Sequence, residues 1–129
     1  MKTNLVFTGG RMYDDEQRVE EICELIKSFR AADVGKIHVG CAKGLDELVR
    51  RQFQGWAEIF FQVHRADWEK HGRAAGPIRN REMLQAAGPR AILIAFPGGA
   101  GTANCIDQAL SMGYTVLRVD HPSKPKGPK

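Results

Sequence analysis

The sequence predicts an α/β protein in which helices cover both faces of a parallel sheet. The apolar run at residues 91–96 is unbroken, which is typical of a strand buried on both faces. Strand-like runs alternate with helix-length segments, and connections of that length join parallel strands. Three of these runs end directly in glycine. Together these observations predict a Rossmann-like three-layer sandwich with a five-stranded parallel sheet in the order 3-2-1-4-5.

The N-terminal half of the chain contains the first two strand and helix pairs. The first strand is predicted at residues 5–8, and Asp14 or Asp15 can cap the helix that follows it to about residue 32. Apolar residues recur in that helix at the helical period, opposite a charged face. The second strand and helix are predicted at residues 36–39 and 45–54.

The second half of the chain continues the alternation. The third strand is predicted at residues 57–63, and an irregular stretch follows at residues 64–76. A helix then begins at Pro77, because proline is favourable in the first helical turn, and runs to about residue 87. The remaining predicted elements are the fourth strand at 91–96, the last helix at 102–112 and the fifth strand at 115–119.

Composition and charge narrow the possible functions. With 129 residues, of which 43% are hydrophobic, the chain is expected to form one domain at residues 1–120. The tail at residues 121–129 is rich in proline and lysine, and we expect it to be disordered. The tail contributes three of the 19 lysine and arginine residues, so 16 remain against 15 acidic residues. A body so close to neutral is not typical of a protein dedicated to nucleic acid.

The sequence has features that predict the cellular location of the protein and the redox state of its cysteines. No apolar run approaches the length of a bilayer span, and the N-terminus leads into a strand rather than a signal peptide. Cys23, Cys41 and Cys105 form neither a disulfide pattern nor a metal-binding spacing. We therefore expect a cytoplasmic protein with reduced thiols, no metal site and no membrane partner.

Glycine-rich loops at three strand ends are the candidate ligand-binding segments. They are Gly9-Gly10-Arg11, the segment from Gly40 to Asp46, and Pro97-Gly98-Gly99-Ala100-Gly101-Thr102. Parallel strands end on one edge of the sheet, so we expect these loops to meet, with a crevice between the first and fourth strands. Glycine lets backbone amides approach a ligand, and the helix that Thr102 opens attracts anions at its amino end. The loops thus predict a phosphate or diphosphate site; the simpler alternative is three tight turns that bind nothing.

Charged and polar residues near these loops complete the predicted site. Arg79, in the first turn of its helix, can hold a phosphate bidentately, and Lys43 is a similar candidate; either can equally be an ordinary surface residue. Asp46 either caps its helix or holds ribose hydroxyls, and Arg79 and Asp46 are also the candidates for catalysis. The predicted ligand-binding residues are Gly9, Gly10, Arg11, Gly40, Lys43, Gly44, Asp46, Arg79, Asn80, Gly98, Gly99, Gly101 and Thr102.

Two aromatic residues and two cysteines have alternative interpretations. Trp68 and Tyr13 can stack on a base, or they can pack as local anchors. Cys41 and Cys105 lie near predicted helix starts, where the pKa of a thiol can fall. No histidine is placed by the sequence as their base, which argues against a cysteine nucleophile.

Several motifs together resemble the SLOG superfamily, in its small YspA and YpsA-related branch. The motifs are Gly9-Gly10-Arg11, Gly40-x-x-x-Gly44-x-Asp46, Ala66-Asp67-Trp68, the segment Ala75-Gly76-Pro77-Ile78-Arg79-Asn80-Arg81-Glu82-Met83, and Phe96-Pro97-Gly98-Gly99-x-Gly101-Thr102. The resemblance covers residues 4–119 and implies a Rossmann-like nucleotide site, ligands such as NAD-derived or ADP-ribose-type signals, and a homodimer. The superfamily also contains the Lonely Guy phosphoribohydrolases, which cleave the base from a cytokinin nucleoside monophosphate.

The sequence departs from the phosphoribohydrolase pattern at the positions that matter for cleavage. Those enzymes have an Arg-Lys-x-Glu-Met segment, in which Arg79 is kept here and Asn80 replaces the lysine. Asn104 and Cys105 stand where their glycine loop continues into two glutamates. A carboxylate stabilises the cation-like sugar of glycosidic cleavage, and a neutral amide does so far less. The carboxylates that could take its place are Asp46, Asp67 and Asp107.

These observations lead to an expected function and an alternative. We expect a protein that binds a nucleotide or an NAD/ADP-ribose-derived metabolite as a sensor, carrier or sequestering protein. It would require no cofactor, would bind no nucleic acid, and would form a homo-oligomer on the strength of the resemblance. The alternative is a nucleotide hydrolase that cleaves an N-glycosidic bond in the manner of a phosphoribohydrolase.

Overall fold

A computed structural model of the chain describes residues 2–28, 34–40, 44–54 and 61–119. In chain order the elements are β1 (Thr3–Thr8), α1 (Glu16–Ser28), β2 (Val34–Gly40), α2 (Leu45–Gln52), β3 (Phe61–His64), α3 (Trp68–His71), a 3₁₀ turn (Gly72–Ala74), α4 (Ala75–Ala87), β4 (Ile92–Ala95), α5 (Ala100–Ser111) and β5 (Thr115–Arg118). The strands are all parallel and form one sheet in the order β3-β2-β1-β4-β5. The predicted α/β, Rossmann-like architecture and strand order are therefore confirmed.

Alternate residues of each strand face opposite layers of helices. On β1, Phe7 packs into a core with α1 and α2, whereas Val6 packs into a second core with α4 and α5. Phe7 pairs in register with Val39 of β2 and Ile94 of β4, so the first core extends across the middle of the sheet. Full burial of one such side chain contributes about 1.5–3 kcal/mol. Because both faces of the central strands are apolar, both helical layers are needed to cover them.

Two of the cysteines belong to these cores. Cys23 lies in the first core and Cys105 in the second, and both are completely buried. Burial raises the pKa of the Cys23 thiol to about 12, which keeps it protonated and unreactive. Cys41 lies outside the described residues.

The start of α1 decides between two predicted capping residues. α1 begins at Glu16, and the carboxylate of Asp15 accepts a hydrogen bond from the amide of Arg18 at 3.1 Å. Asp15, rather than Asp14, therefore satisfies one of the amides that a first helical turn leaves without a partner.

Two later helices begin earlier than predicted. α4 begins at Ala75 rather than at Pro77, and α5 begins at Ala100 rather than at Thr102. Amides in the first turn have no acceptor within the helix, so a missing N–H at Pro77 costs little there. Gly99 serves as the N-cap of α5, a position that glycine tolerates.

The stretch predicted to be irregular contains short helical turns. Asp67 caps α3 by accepting a hydrogen bond from the amide of Lys70 at 3.1 Å, and Gly72, with φ of +55°, ends it. A four-residue helix is too short to show a hydrophobic period, so the sequence pattern could not reveal it.

Some predicted boundaries fall on residues that the structure does not describe. These are the end of the first helix near residue 32, the start of the third strand at residue 57, and the tail at residues 121–129. Among the described ranges, no helix has the length and apolar character needed to cross a bilayer.

Candidate functional site

The loops that follow β1 and β4 meet at the carboxyl edge of the sheet. The amide of Gly10 donates a hydrogen bond to the carbonyl of Pro97 at 3.0 Å, and the amide of Phe96 donates to the carbonyl of Thr8 at 2.8 Å. The two strands are neighbours, and the helices that follow them lie on opposite faces of the sheet. The structure thus brings these two loops together where the order of strands reverses, as expected for a ligand crevice of this fold.

The residue that precedes α2 packs against the loop after β1. A Cβ atom on Gly44 would lie 2.6 Å from the carbonyl oxygen of Gly10 and closer still to that of Arg11. Backbone oxygens cannot move aside as a flexible side chain can, so only glycine fits at this position. The third predicted segment therefore meets the loop after β1 at Gly44.

The rest of that third segment is described only in part. Gly40 is the last residue of β2 and is buried. Lys43 lies outside the described residues, and Asp46 lies in α2 with its side chain outside them. Their predicted roles toward a phosphate or a ribose stay predictions.

Packing alone explains two further glycines of the site. A Cβ atom on Gly98 would lie 2.7 Å from the amide nitrogen of Gly10 and closer still to the hydroxyl of Thr102. A Cβ atom on Gly9 would lie 2.5 Å from Cδ2 of Leu45. These positions let the loops approach one another, and the amide of Gly10 is already engaged by Pro97.

Gly99 and Gly101, at the start of α5, face open space instead. Apart from chain neighbours and the backbone of α5 itself, no atom of the described residues lies within 4 Å of a Cβ atom placed on either residue. Within the same ranges no side chain caps α5, and the first-turn amides of a helix carry a partial positive charge and lack helical partners. Thr102 is buried, so the accessible rim is formed by Gly99, Ala100 and Gly101. This rim has the chemistry of an anion site.

Arg79 and Asn80 connect α4 to this rim, and because α4 begins at Ala75 they lie in its second turn rather than in the predicted first turn. Asn80 is only 2% exposed, and its amide donates to the carbonyl of Gly101 at 3.1 Å and to Oδ1 of Asn104 at 3.2 Å. Its own Oδ1 accepts a hydrogen bond from Nε of Arg79 at 2.9 Å. Nη1 of Arg79 donates to the carbonyl of His64, the last residue of β3, at 3.4 Å. A guanidinium has five N–H donors, so Arg79 is oriented at the sheet edge with donors left for an anion.

Gln108 extends this network, and sequence reasoning missed it. Its amide donates to Oδ1 of Asn104 at 2.8 Å and to the carbonyl of Pro77 at 3.0 Å. Asn104 and Gln108 are four residues apart on α5 and so share one face of the helix. The four-residue spacing indicates from the sequence that Asn104 and Gln108 share a face of α5. It does not indicate that this face contacts α4.

A buried histidine pair lies beside the arginine. Nδ1 of His38 is 2.9 Å from Nε2 of His64, and His38 is completely buried. Burial, with the charges of His64 and Lys36, lowers the pKa of His38 to about 4, and burial and Arg79 lower the pKa of His64. Both rings are therefore neutral near pH 7, with one donating to the other.

Strand register explains why this pair was not predicted. Gly40 pairs with His64 across β2 and β3, so His38 lies on the same face two positions earlier. The proximity of His38 and His64 depends on how β2 pairs with β3, and the pattern of the sequence does not show that pairing. Within residues 2–28, 34–40, 44–54 and 61–119, no group of three or more histidine, cysteine or acidic side chains is placed to hold a metal ion.

The two aromatic candidates have different surroundings. Tyr13 packs edge-on against Phe96 with ring centroids 5.3 Å apart, and burial raises its pKa to about 12. Trp68 is 50% exposed, and the guanidinium carbon of Arg11 lies 5.8 Å from its ring centroid. Tyr13 is thus a partly buried residue packed against the first core, whereas Trp68 is accessible.

Of the three carboxylates that could replace a catalytic glutamate, Asp46 has its side chain outside the described residues. Asp107 lines a cavity of about 230 Å³ with Pro97, Gly98, Thr102 and Arg118, whereas Asn104 is bonded to Asn80. The carboxylate of Asp67 caps α3. Among the described side chains, the surroundings of Asn80 and Asn104 are therefore neutral amides, with the Arg79 guanidinium as the nearby charge.

Comparison with known proteins identifies a relative of this chain. No protein-family model matches the chain. The sequence is 34% identical over 120 residues to the Gene 61 protein of Mycobacterium phage D29, and the match covers 88% of this chain and 93% of that protein. Identity at this level over nearly both full lengths places the two in one family. The chain therefore belongs to the family of the Gene 61 protein of Mycobacterium phage D29.

Proposed function

We propose that this protein binds a nucleotide or an NAD/ADP-ribose-derived metabolite through its phosphate groups, as a sensor, carrier or sequestering protein. The phosphate would occupy the rim at the start of α5, next to the loop after β1. One observation carries the proposal: the uncapped amino end of α5, with open space at Gly99 and Gly101, lies where the β1 and β4 loops meet. A ligand phosphate would supply the acceptors that these first-turn amides lack.

The charges around the rim support a phosphate. Arg79 is oriented by Asn80 and by the carbonyl of His64, which lowers the entropy that it would lose on binding an anion. Arg11 is exposed in the loop after β1. Two arginines on segments that adjoin the start of α5 are well suited to a diphosphate or to two separate anionic groups.

The division among the glycines also supports the proposal. Packing accounts for Gly9, Gly10, Gly44 and Gly98, whereas no contact within the described part of the chain accounts for the absence of a side chain at Gly99 or Gly101. Backbone approach by a ligand is a reason for glycine at these last two positions.

The amide pair next to Arg79 favours binding over cleavage. Asn80 and Asn104 are hydrogen-bonded to each other, and Asn104 stands where the resemblance places a catalytic glutamate. Cleavage of an N-glycosidic bond needs a negative charge to stabilise the cation-like sugar. SLOG membership is part of this proposal.

The direct test is mass spectrometry of small molecules released when freshly purified protein is denatured, followed by thermal melts with AMP, NAD and ADP-ribose. A ligand at 100 times its dissociation constant adds about 2.7 kcal/mol of stability. For a chain of this size the melting temperature would rise by on the order of 10 °C. If no nucleotide is released and none raises the melting temperature, the proposal is wrong.

A matched pair of arginine variants locates the site. Arg79→Ala should weaken nucleotide binding by about tenfold or more, because it removes a charged donor to phosphate. Arg73→Ala is the control, since Arg73 is exposed in the 3₁₀ turn and its substitution should leave binding unchanged.

Separation of products after incubation with AMP, NAD and ADP-ribose distinguishes binding from turnover. Turnover that is lost in Arg79→Ala would support the hydrolase alternative.

A further inference from the structure

Trp68 is unusual among the aromatic residues that the structure describes, because half of its surface is exposed. The rings of Phe7, Phe53 and Phe96 are buried, and Tyr13 packs against Phe96. A half-exposed indole leaves a large apolar face in water, and such residues are frequent at binding surfaces.

The indole contacts two segments of the chain. In α4, a Cβ atom on Gly76 would lie 3.5 Å from Cη2 of Trp68. In the loop after β1, the guanidinium carbon of Arg11 lies 5.8 Å from the ring centroid, within the range of a cation–π contact. Asp67 caps the helix on which Trp68 lies and so fixes its backbone. Trp68 therefore bridges the loop after β1 and the start of α4.

The same contacts bring the indole next to the proposed phosphate rim. Arg11 directly follows Gly10, whose amide is bonded to Pro97 in the loop that leads into α5. Gly76 lies one helical turn before Asn80, whose side chain is bonded to Gly101. Trp68 is thus linked to the segments that form the rim through its contacts with Arg11 and with Gly76.

We propose that Trp68 and Arg11 form a base-binding subsite, in which an aromatic base stacks on the exposed indole face. On binding, Arg11 exchanges its contact with the indole for one with a ligand phosphate. The subsite rests on the proposed nucleotide function and narrows it: the ligand carries an aromatic base, and a sugar phosphate without one binds more weakly. Stacking accepts any base because every base has a π-face, so it selects the class of ligand rather than the individual base.

The decisive experiment compares AMP with ribose 5-phosphate, which keeps the sugar and phosphate but lacks the base. Trp68→Leu should weaken AMP binding by about tenfold, the usual effect of removing one stacking partner, and should leave ribose 5-phosphate binding unchanged. Trp68→Phe, which keeps a smaller ring, should give an intermediate loss. Met12→Ala is the matched control, because Met12 is also exposed in the loop after β1 and should have no effect.

Tryptophan fluorescence provides a second readout that survives if Trp68→Leu fails to fold. A base stacked on Trp68 should quench the emission of the wild-type protein, and this change should vanish in Trp68→Phe although Trp56 remains. AMP binding with unchanged emission, or an equal loss of AMP and ribose 5-phosphate affinity in Trp68→Leu, would overturn the subsite and leave the nucleotide function standing. If AMP, NAD and ADP-ribose all fail to bind, the proposed function and the subsite fall together.

Discussion

Glycine residues around the carboxyl edge of the sheet serve two distinct purposes. At Gly44 and Gly98 the absent side chain lets one loop backbone approach another, and at Gly101 it leaves open space. The sequence predicts that these glycines share one edge, and the contacts confirm it for the loops after β1 and β4 and for Gly44. The sequence could not show which glycines allow two loops to approach and which leave open space, because this depends on distances between loops that are far apart in the chain.

A pair of alanine substitutions tests this division. We expect Gly44→Ala to lower the free energy of unfolding by about 1–3 kcal/mol, because its Cβ would collide with the carbonyl oxygens of Gly10 and Arg11. Gly101→Ala should leave that free energy unchanged or raise it, since its Cβ meets open space and alanine favours the helix. Urea unfolding measures both, and equal stability of the two variants would contradict the assignment.

The histidine pair predicts how stability responds to acid. His38 has a pKa of about 4 when folded and an ordinary value of 6.5, so the unfolded chain binds a proton that the folded one does not. The stabilisation is fully present above pH 6.5 and is lost as the pH falls toward 4, by about 3 kcal/mol in total.

Urea unfolding at a series of pH values checks this expectation. Between pH 6.5 and 4 the loss should be smaller in His38→Phe, which has no proton to bind, than in the wild type. His71→Gln is the control, because His71 lies on α3 outside the pair and its removal should keep the wild-type slope. An unchanged slope in His38→Phe would show that other groups cause the acid dependence.

The helices α4 and α5 are joined near their amino ends by one buried side chain. Asn80 bonds to the backbone of Gly101 and to Asn104, and Gln108 adds a bond to the carbonyl of Pro77. These contacts fix the first turn of α5 relative to α4. The geometry of the rim is therefore maintained from behind by residues that need not touch a ligand.

Removal of Asn80 should loosen this junction. We expect Asn80→Ala to lower the free energy of unfolding by about 1–3 kcal/mol, because it leaves the Asn104 oxygen and the Gly101 carbonyl without this donor. Hydrogen exchange should also speed up at the first-turn amides of α5. Gln85→Ala, at an exposed position of α4, is the control, and a match between the two variants would contradict the role of Asn80.

The order and type of the main elements could be predicted because apolar runs and helical periods are local signals. The start of α5 could not be predicted, because the glycines before Thr102 have low helix propensity and resemble a loop. In the structure Gly101 lies in the first turn, where amides lack helical acceptors in any case. Arg79 and Asn80 were predicted as ligand-binding residues, but the bonds of Asn80 to α5 depend on how two helices pack.

In the sheet as a whole, β5 is an edge strand. Leu117 on β5 is 52% exposed and Leu110 on α5 is 54% exposed. An edge strand with an exposed apolar residue is a common place for pairing with another chain. This feature adds a physical reason to the homo-oligomer that the resemblance implies.

Light scattering during gel filtration tests the oligomer. We expect a dimer in the wild type and a shift toward monomer in Leu117→Lys, because a charged residue on an edge strand opposes pairing. Leu25→Lys, at an exposed position of α1, is the control and should remain dimeric. A wild-type protein that is monomeric at every concentration would contradict the expectation.

The hydrogen bond from Gly10 to Pro97 has a consequence for kinetics. It joins the loops after β1 and β4 without any ligand, so the entropy of ordering them is lost during folding rather than at the moment of capture. An incoming metabolite should therefore meet a rigid receptor, and its observed association rate should rise linearly with concentration, with no plateau from a slow closing step.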